Sequence, residues 1–379
     1  MSEFMGKNGF IWFVGVVEDR ADPKNLGRLR VRCLGYHTEK LDQLETKDLP
    51  WAHVMNPITS ATVSGLGQSP LGAVEGSWVV GFFQDGADAQ MPVIIGTLPG
   101  IPDSLPDSES KKGFQDSVNA AYPKYKDETD VNRLAVGDEN NPHSSLTIRK
   151  ADRTTDMGRA DFNSVDLRVA NADPDTLPGD DGTAFSEPIT PYDATYPYNH
   201  VYESEGGHIR EMDDTPGKER IHERHSSGSG YEIHPDGTRV ARVKKDSYDL
   251  ITGDHFAHIK GNQSTTVDGG VRVFVNADAS TDDQNYTIQV GKNANVNIQV
   301  DDGNVNVITK GDGDINLNSA GNLNMQAAKG IRLQSDTVDI AVANTWNETS
   351  GNKTESTGTH QMNSNTTTIV GPDNINLNP

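Results

Sequence analysis

Between residues 290 and 344, apolar side chains come in bursts of two or three at alternate positions, and each burst restarts seven to ten residues after the last. The sets are Val296, Ile298 and Val300; Val305 and Val307; Ile315 and Leu317; Leu323 and Met325; Ile331 and Leu333; and Val338, Ile340 and Val342. Alternation puts each set on one face of an extended strand, while Asn295, Asn297, Asn306, Asn316, Asn318, Asn324 and Asp339 take the other. One such strand buries too little apolar area to stand alone. An eight-residue unit is also short for a coil made by one chain, whose repeats run to roughly 20 residues or more. Three identical chains wound together resolve the difficulty. Each supplies one wall of a thin prism, with small aliphatics on the axis and Asn, Asp, Thr and Gln outside. The pattern predicts an intertwined homotrimeric β-helix over residues 246–379, its axis lined by Val296, Ile298, Val305, Val307, Ile315, Leu317, Leu323, Met325, Ile331, Leu333, Val338 and Ile340. Trp346 is the only aromatic residue after position 290, as an axis too narrow for rings requires. No proline lies between Pro235 and Pro372, so the backbone can donate to a ladder throughout.

The N-terminal quarter reads differently. "IWFVGVVED", "GRLRVRCLGYH", "LPWAHVMNP", "EGSWVVGFFQDG" and "MPVIIGTLPG" are β-branched or aromatic runs bounded by Gly, Pro and Asp. Five such strands in residues 1–101 predict a small closed barrel, which leaves no exposed sheet edge. Residues 102–184, with "PDSLPDSESKKG" and "NADPDTLPGDDG", lack lasting periodicity and read as an extended linker that runs over other surfaces. Strand patterns return over residues 185–245, with "PDG" at 235–237 as the clearest turn. The fold class is all-β: barrel, linker, needle-base strands and trimeric needle.

Composition excludes several functions. Only 34% of the 379 residues are hydrophobic and the formal charge is −22, with 8 basic against 11 acidic residues in the first hundred. That balance argues against nucleic-acid binding and against attraction to an anionic membrane. Cys33 is the single cysteine, which rules out an intrachain disulfide and reads as a small core residue. The longest apolar runs, such as residues 11–17 and 78–83, are far below the roughly 18 residues of a membrane span, and the first lacks the flanks of a secretory signal.

"WFVGVVEDRADPKNLGRLRVRCLGYH", "LPWAHVMNPITSA", "SGLGQSPLGAVEGSWVVGFF" and "MPVIIGT" resemble the N-terminal OB-fold of the central spike of contractile-tailed bacteriophages. "YPYNHVYESEGGHIREMDDTPGKERIHERHSSGSGYEIHPDG" resembles the segment that begins that protein's needle, and residues 250–379 are similar in pattern. The spikes of type VI secretion systems share the plan. The resemblance implies a homotrimer in the virion's tail baseplate, assembled in the host cytoplasm. Its barrels would dock on a trimeric hub protein below the tail tube, and its needle would point at the host envelope. Some members carry a lysozyme domain between barrel and needle. The corresponding interval here, residues 136–184, is too short and lacks helical periodicity, so the expectation is a mechanical spike and not an enzyme. The alternatives are a β-helical tailspike that binds or cleaves polysaccharide, disfavoured by the scarcity of aromatics, and a type VI spike.

Possible chemistry is sparse. Glu211, Asp213 and Asp214 read as a solvated acidic rim beside a turn. "HERH" at 222–225 is not a zinc-protease motif, because on a strand its two histidines face opposite ways. "KGDGDINLN" resembles one calcium-binding nonapeptide, but the next turn lacks the matching Asp. The Gly-rich residues 64–72 lack the Lys-Ser/Thr of a phosphate loop and read as a barrel loop. His360 is the weak metal candidate, since a threefold axis would gather three copies, yet the His-x-His pair that would give six nitrogens is missing. No cofactor is expected. Trp12, Trp51 and Trp78 read as barrel core or interface anchors. Pro372, Ile375 and Leu377 form a last burst that could cap the prism or seat a small tip protein.

Overall fold

The computed structural model describes residues 9–68, 72–137, 188, 190–265, 267, 269–275, 285–350 and 354. The chain divides into two units, residues 1–299 and 300–379.

In the first unit, β1 (Ile11–Asp19), β2 (Leu29–Cys33), β3 (Trp51–Val54), β4 (Trp78–Phe83) and β5 (Pro92–Thr97) close into a barrel of order β1-β2-β3-β5-β4. All neighbours are antiparallel except β3 and β5. The five strands coincide with the five β-branched and aromatic runs of the sequence. Alternation turns Phe13, Val17, Leu29, Val31, Val79, Phe83 and Ile94 into the core, and Cys33 joins them fully buried. Gly81 is demanded by closure, because a Cβ there would lie 2.1 Å from the Val93 carbonyl oxygen.

From residue 15 to 18, β1 is buried in both phases. The second face is covered by residues 98–137, which run over the barrel as a strap. The Phe114 N–H donates to Glu18 Oε1 at 2.9 Å, and a Cβ on Gly113 would stand 2.1 Å from Arg32 Nε. The strap ends in a single helical turn, α1 (Arg133–Val136), whose N-cap Asn132 accepts from the Leu134 N–H at 2.9 Å.

A second sheet follows as an antiparallel meander: β6 (Asn199–Glu203), β7 (Ile209–Asp213), β8 (Arg220–Arg224), β9 (Gly230–Ile233) and β10 (Arg239–Arg242). Leu134 of α1, with Tyr192 and Ala194, packs on Ile209 and Val201 at one face of this sheet. Beyond Arg242 the described residues contain no strand and every one of them is exposed. Among the described residues no helix is long and apolar enough to cross a membrane.

Candidate functional site

The second sheet is inverted. Cross-strand register places Asn199, Asp213 and Arg220 in one row, and Val201, Glu211, His222 and Glu232 in the next, all on the face toward α1. Glu211, Asp213, Arg220, His222 and Glu232 are all buried there. Arg220 donates to Glu211 through Nη1 (3.1 Å) and Nη2 (2.9 Å) and to Glu232 Oε1 through Nη1 (2.8 Å), while its guanidinium lies 4.9 Å from the Tyr192 ring centre. His222 Nδ1 lies 2.6 Å from Glu211 Oε2, and Thr190 Oγ1 donates to Glu232 at 2.8 Å. Burial alone would lower the Arg220 pKa, but Glu211 and then Glu232 carry it above its ordinary value. Burial alone would raise Glu232, but Arg220 and the Thr190 bond bring it below the ordinary carboxylate value. These groups bond chiefly to one another, an arrangement that fixes the sheet, while Arg220 Nε and Asp213 Oδ2 stay buried without a hydrogen-bond partner.

The solvated rim expected at Glu211 and Asp213 is thus corrected: both are buried in the ion network, and only Asp214 is exposed. The signal lay in the strand phase. Glu211, Asp213, Arg220, His222, Arg224 and Glu232 occupy one phase of alternation, while Met212, Ile221 and Ile233 occupy the other, so charge and not apolarity marks the covered face. The histidines of "HERH" do point apart, His222 buried and His225 exposed.

The opposite face carries Met212, Ile221 and Ile233 in one cross-strand row. Met212 is 47% and Ile221 43% exposed, with Tyr202 nearby at 70%. Further along, all twelve residues predicted to line the axis stand bare, from Ile315 at 51% to Ile298 at 75% exposure. The same display extends upstream to Val271, Val273, Tyr286, Ile288 and Val290, which the burst alignment left out. His360, Pro372, Ile375 and Leu377 lie outside the described residues.

Two carboxylates at the β6–β7 turn tie the sheet to the barrel and strap. Glu205 takes a bidentate pair from Arg20 of the barrel side (2.7 and 2.9 Å) and a 2.7 Å bond from the Tyr122 hydroxyl. Glu203 accepts from Arg133 at 2.7 Å and Asn132 at 2.8 Å. Burial first, and then Glu205, pushes the Tyr122 phenol up to about 12.

On the barrel, Trp12 and Trp78 are 56% and 40% exposed, so they are surface residues and not core. Trp51 is half-buried under the chain's own Arg30 and Arg28, whose guanidinium carbons lie 4.5 and 5.5 Å from its ring. Those cations are in turn paired with Asp19 and Asp22, which leaves little of a stacking platform for a base. Among the described residues no three His, Cys, Asp or Glu side chains converge to hold a metal ion.

The closed five-stranded barrel is consistent with an OB domain. Residues 35–175 match the family model described as the Gp5 N-terminal OB domain. The chain is 39% identical over 294 residues to protein Gp5 of Vibrio phage KVP40, a match covering 70% of this chain and 65% of that protein. It is 25% identical over 470 aligned positions to the pre-baseplate central spike protein Gp5 of Enterobacteria phage T4, covering 72% and 81%. The chain is similar to both of these Gp5 proteins, and its match spans just under two thirds of the Vibrio phage protein. Since 72% of 379 residues fill the T4 alignment, roughly 200 of its 470 positions, taken together, have no residue of this chain opposite them.

Proposed function

We propose that this chain is the non-enzymatic, cell-puncturing central spike of a phage tail baseplate, acting as a homotrimer. The observation that carries the reading is the bare aliphatic display from Val271 through the bursts to Ile340, on described residues beyond Arg242 that form no strand within their own chain, preceded on the paired sheet by the exposed Met212 and Ile221. Two more copies would supply both the missing strands and the cover, winding residues 246–379 into a β-helix with the burst residues on its axis. The name of the T4 relative, a pre-baseplate central spike protein, supports a spike role, and the shortness of residues 136–184 supports a chain that pierces without an inserted hydrolase. Force entering at the barrels, from a hub protein of the baseplate, would pass through Arg20, Glu205, Arg133 and Glu203 into the sheet and so into the needle pressed on the host envelope. Pro372, Ile375 and Leu377 would close the prism or seat a tip protein, nucleic acid has no part, and His360 is the weak candidate for an axial ion.

Light scattering of the purified protein, with gels of boiled and unboiled samples in SDS, tests the reading. A species near three times 41.1 kDa that collapses on boiling is expected. A monomer refutes it.

A further inference from the structure

Trp78 opens β4 in the outward phase and stays 40% exposed, yet it does not lie on open barrel surface. The strap runs past it twice, at residues 98–115 and again at 122–133. It leaves two adjoining hollows of about 450 and 590 Å³, which share Gly76, Trp78, Leu98, Pro123 and Asp130 in their walls. Hollows of this size suit a small ligand.

The walls are fixed before anything binds. The Gly100 N–H donates to Asp130 Oδ2 at 2.9 Å and the Asp130 N–H to the Gly100 carbonyl at 3.0 Å, which closes the strap on itself. The Asp127 N–H donates to the Pro102 carbonyl at 2.9 Å. Gly76, at φ 86°, lets barrel and strap meet backbone to backbone, since a Cβ there would lie 2.8 Å from the Tyr122 carbonyl oxygen. A ligand entering such a groove does not have to order it.

One carboxylate in the smaller hollow stands without a partner. Glu128 is half-buried and makes no hydrogen bond or ion pair among the described residues; Arg133, whose charge acts on it, is turned to Glu203 at 2.7 Å instead. Burial holds the Glu128 carboxyl above its ordinary value. A half-buried, unpartnered acceptor costs free energy that a donor on a ligand would offset. That donor is best carried by a neutral molecule, because Lys124 and Arg133 balance Glu128 and Asp130 in the wall and an ion of either sign meets repulsion as well as attraction. Trp78 and the exposed Tyr125 add ring surface against which the C–H face of a sugar can lie. An extended peptide has less to hold, since β4 sits between β1 and β5 in the closed barrel and offers no free edge.

We infer that the groove around Trp78 binds a neutral oligosaccharide, with one sugar ring stacked on Trp78 and a hydroxyl donating to Glu128. The inference stands on the groove and does not depend on the spike reading.

The full-length protein is titrated with maltotriose, cellotriose and chitotriose, and for comparison with a proline-rich peptide and inorganic phosphate, by calorimetry and tryptophan fluorescence. Expected are saturable binding of at least one trisaccharide, none of phosphate, and an at least tenfold weaker affinity in both Trp78→Ala and Glu128→Ala. Since Glu128 makes no contact that the fold needs, Glu128→Ala should melt with wild type, and it decides the outcome alone if Trp78→Ala does not fold. No response to any trisaccharide at about 10 mM overturns the inference. Trisaccharide binding that survives either folded variant at full strength places the sugar elsewhere and also overturns it. Binding of the peptide or phosphate alone, lost in the variants, gives the groove to another ligand and overturns it too.

Discussion

Glu18 and Arg32 form an ion pair with no solvent exposure at either side chain, and replacing Glu18 alone should cost far more than replacing both. Arg32 Nε and Nη2 donate to the two Glu18 oxygens at 2.6 and 3.1 Å. Nη1 donates to the Thr38 carbonyl at 2.6 Å and Nη2 to the Leu44 carbonyl at 2.8 Å. Glu18 also accepts from the Thr46 hydroxyl at 2.8 Å and the Phe114 N–H at 2.9 Å, so the pair staples β1, β2, the β2–β3 connection and the strap together. Glu18→Gln keeps the shape but strands a guanidinium charge in a dry site, a loss of about 3–5 kcal/mol. For a barrel of this size each kcal/mol lowers Tm by roughly 4–8 °C, so the variant should melt well over 10 °C earlier. Three of the four tryptophans, Trp12, Trp51 and Trp78, lie in the barrel, so tryptophan fluorescence on heating or in urea reads this domain. The double variant Glu18→Leu, Arg32→Met removes the charges together and should be less destabilised than Glu18→Gln. A loss below about 1 kcal/mol in the single variant, or a double variant worse than the single, would show that the site is wet and the argument wrong.

Cys33 is buried beneath the barrel wall and burial pushes its thiol up to about 12, so the native protein should not react with a thiol reagent at pH 8 while the denatured chain releases one equivalent. His37 is held below its ordinary value, first by burial and then by the Arg32 charge, and its Nδ1 accepts from the Cys33 N–H at 2.9 Å. Its contribution is therefore complete above the unfolded value of about 6.5 and is lost as pH falls through the lowered folded value; the urea midpoint of the barrel should drop from pH 6.5 downward, less steeply in His37→Gln, and equal slopes would refute this. Leu317→Asp would gather three carboxylates on the proposed axis and should abolish the SDS-resistant species; normal trimers would mean that the register of the bursts is wrong. Gly81→Ala should fail to form a soluble barrel, as judged by circular dichroism, because its Cβ would overlap the Val93 carbonyl.

The barrel was legible because each strand announces itself by β-branched and aromatic residues between Gly, Pro and Asp, and because the core needs only alternation to sort Phe13 and Val17 from Trp12. Alternation does not say whether a strand's second face meets water. Residues 98–137 cover Glu18 and Arg32, with the Phe114 N–H reaching Glu18 from 96 residues further along the chain in a segment without periodicity. Of the two places open to Trp12 from its size, core or surface anchor, its phase opposite Phe13 picks the surface. The bursts were legible as a period, whereas their upstream extension to Val271 and Tyr286 was masked by irregular spacing.

The inverted sheet is the deepest misreading and has a physical logic. A charged residue on a strand ordinarily marks the wet face, so Glu211 and Asp213 read as rim. Their burial depends on Arg220 and His222, which become neighbours only when β7 pairs with β8 in the register Glu211↔His222 and Asp213↔Arg220. A slip of one residue would turn Arg220 and His222 to the far face, leave Glu211 and Asp213 buried without counter-ions, and cost several kcal/mol per stranded ion. Charge therefore specifies the register of this sheet from within one chain. An aliphatic pair across strands is far more forgiving of slippage, and if Met212, Ile221 and Ile233 had set the register they would also have been consumed in setting it. With the ions holding the sheet in place, the aliphatic row remains bare and fixed in position, a preformed surface on which other strands can assemble without first having to order it.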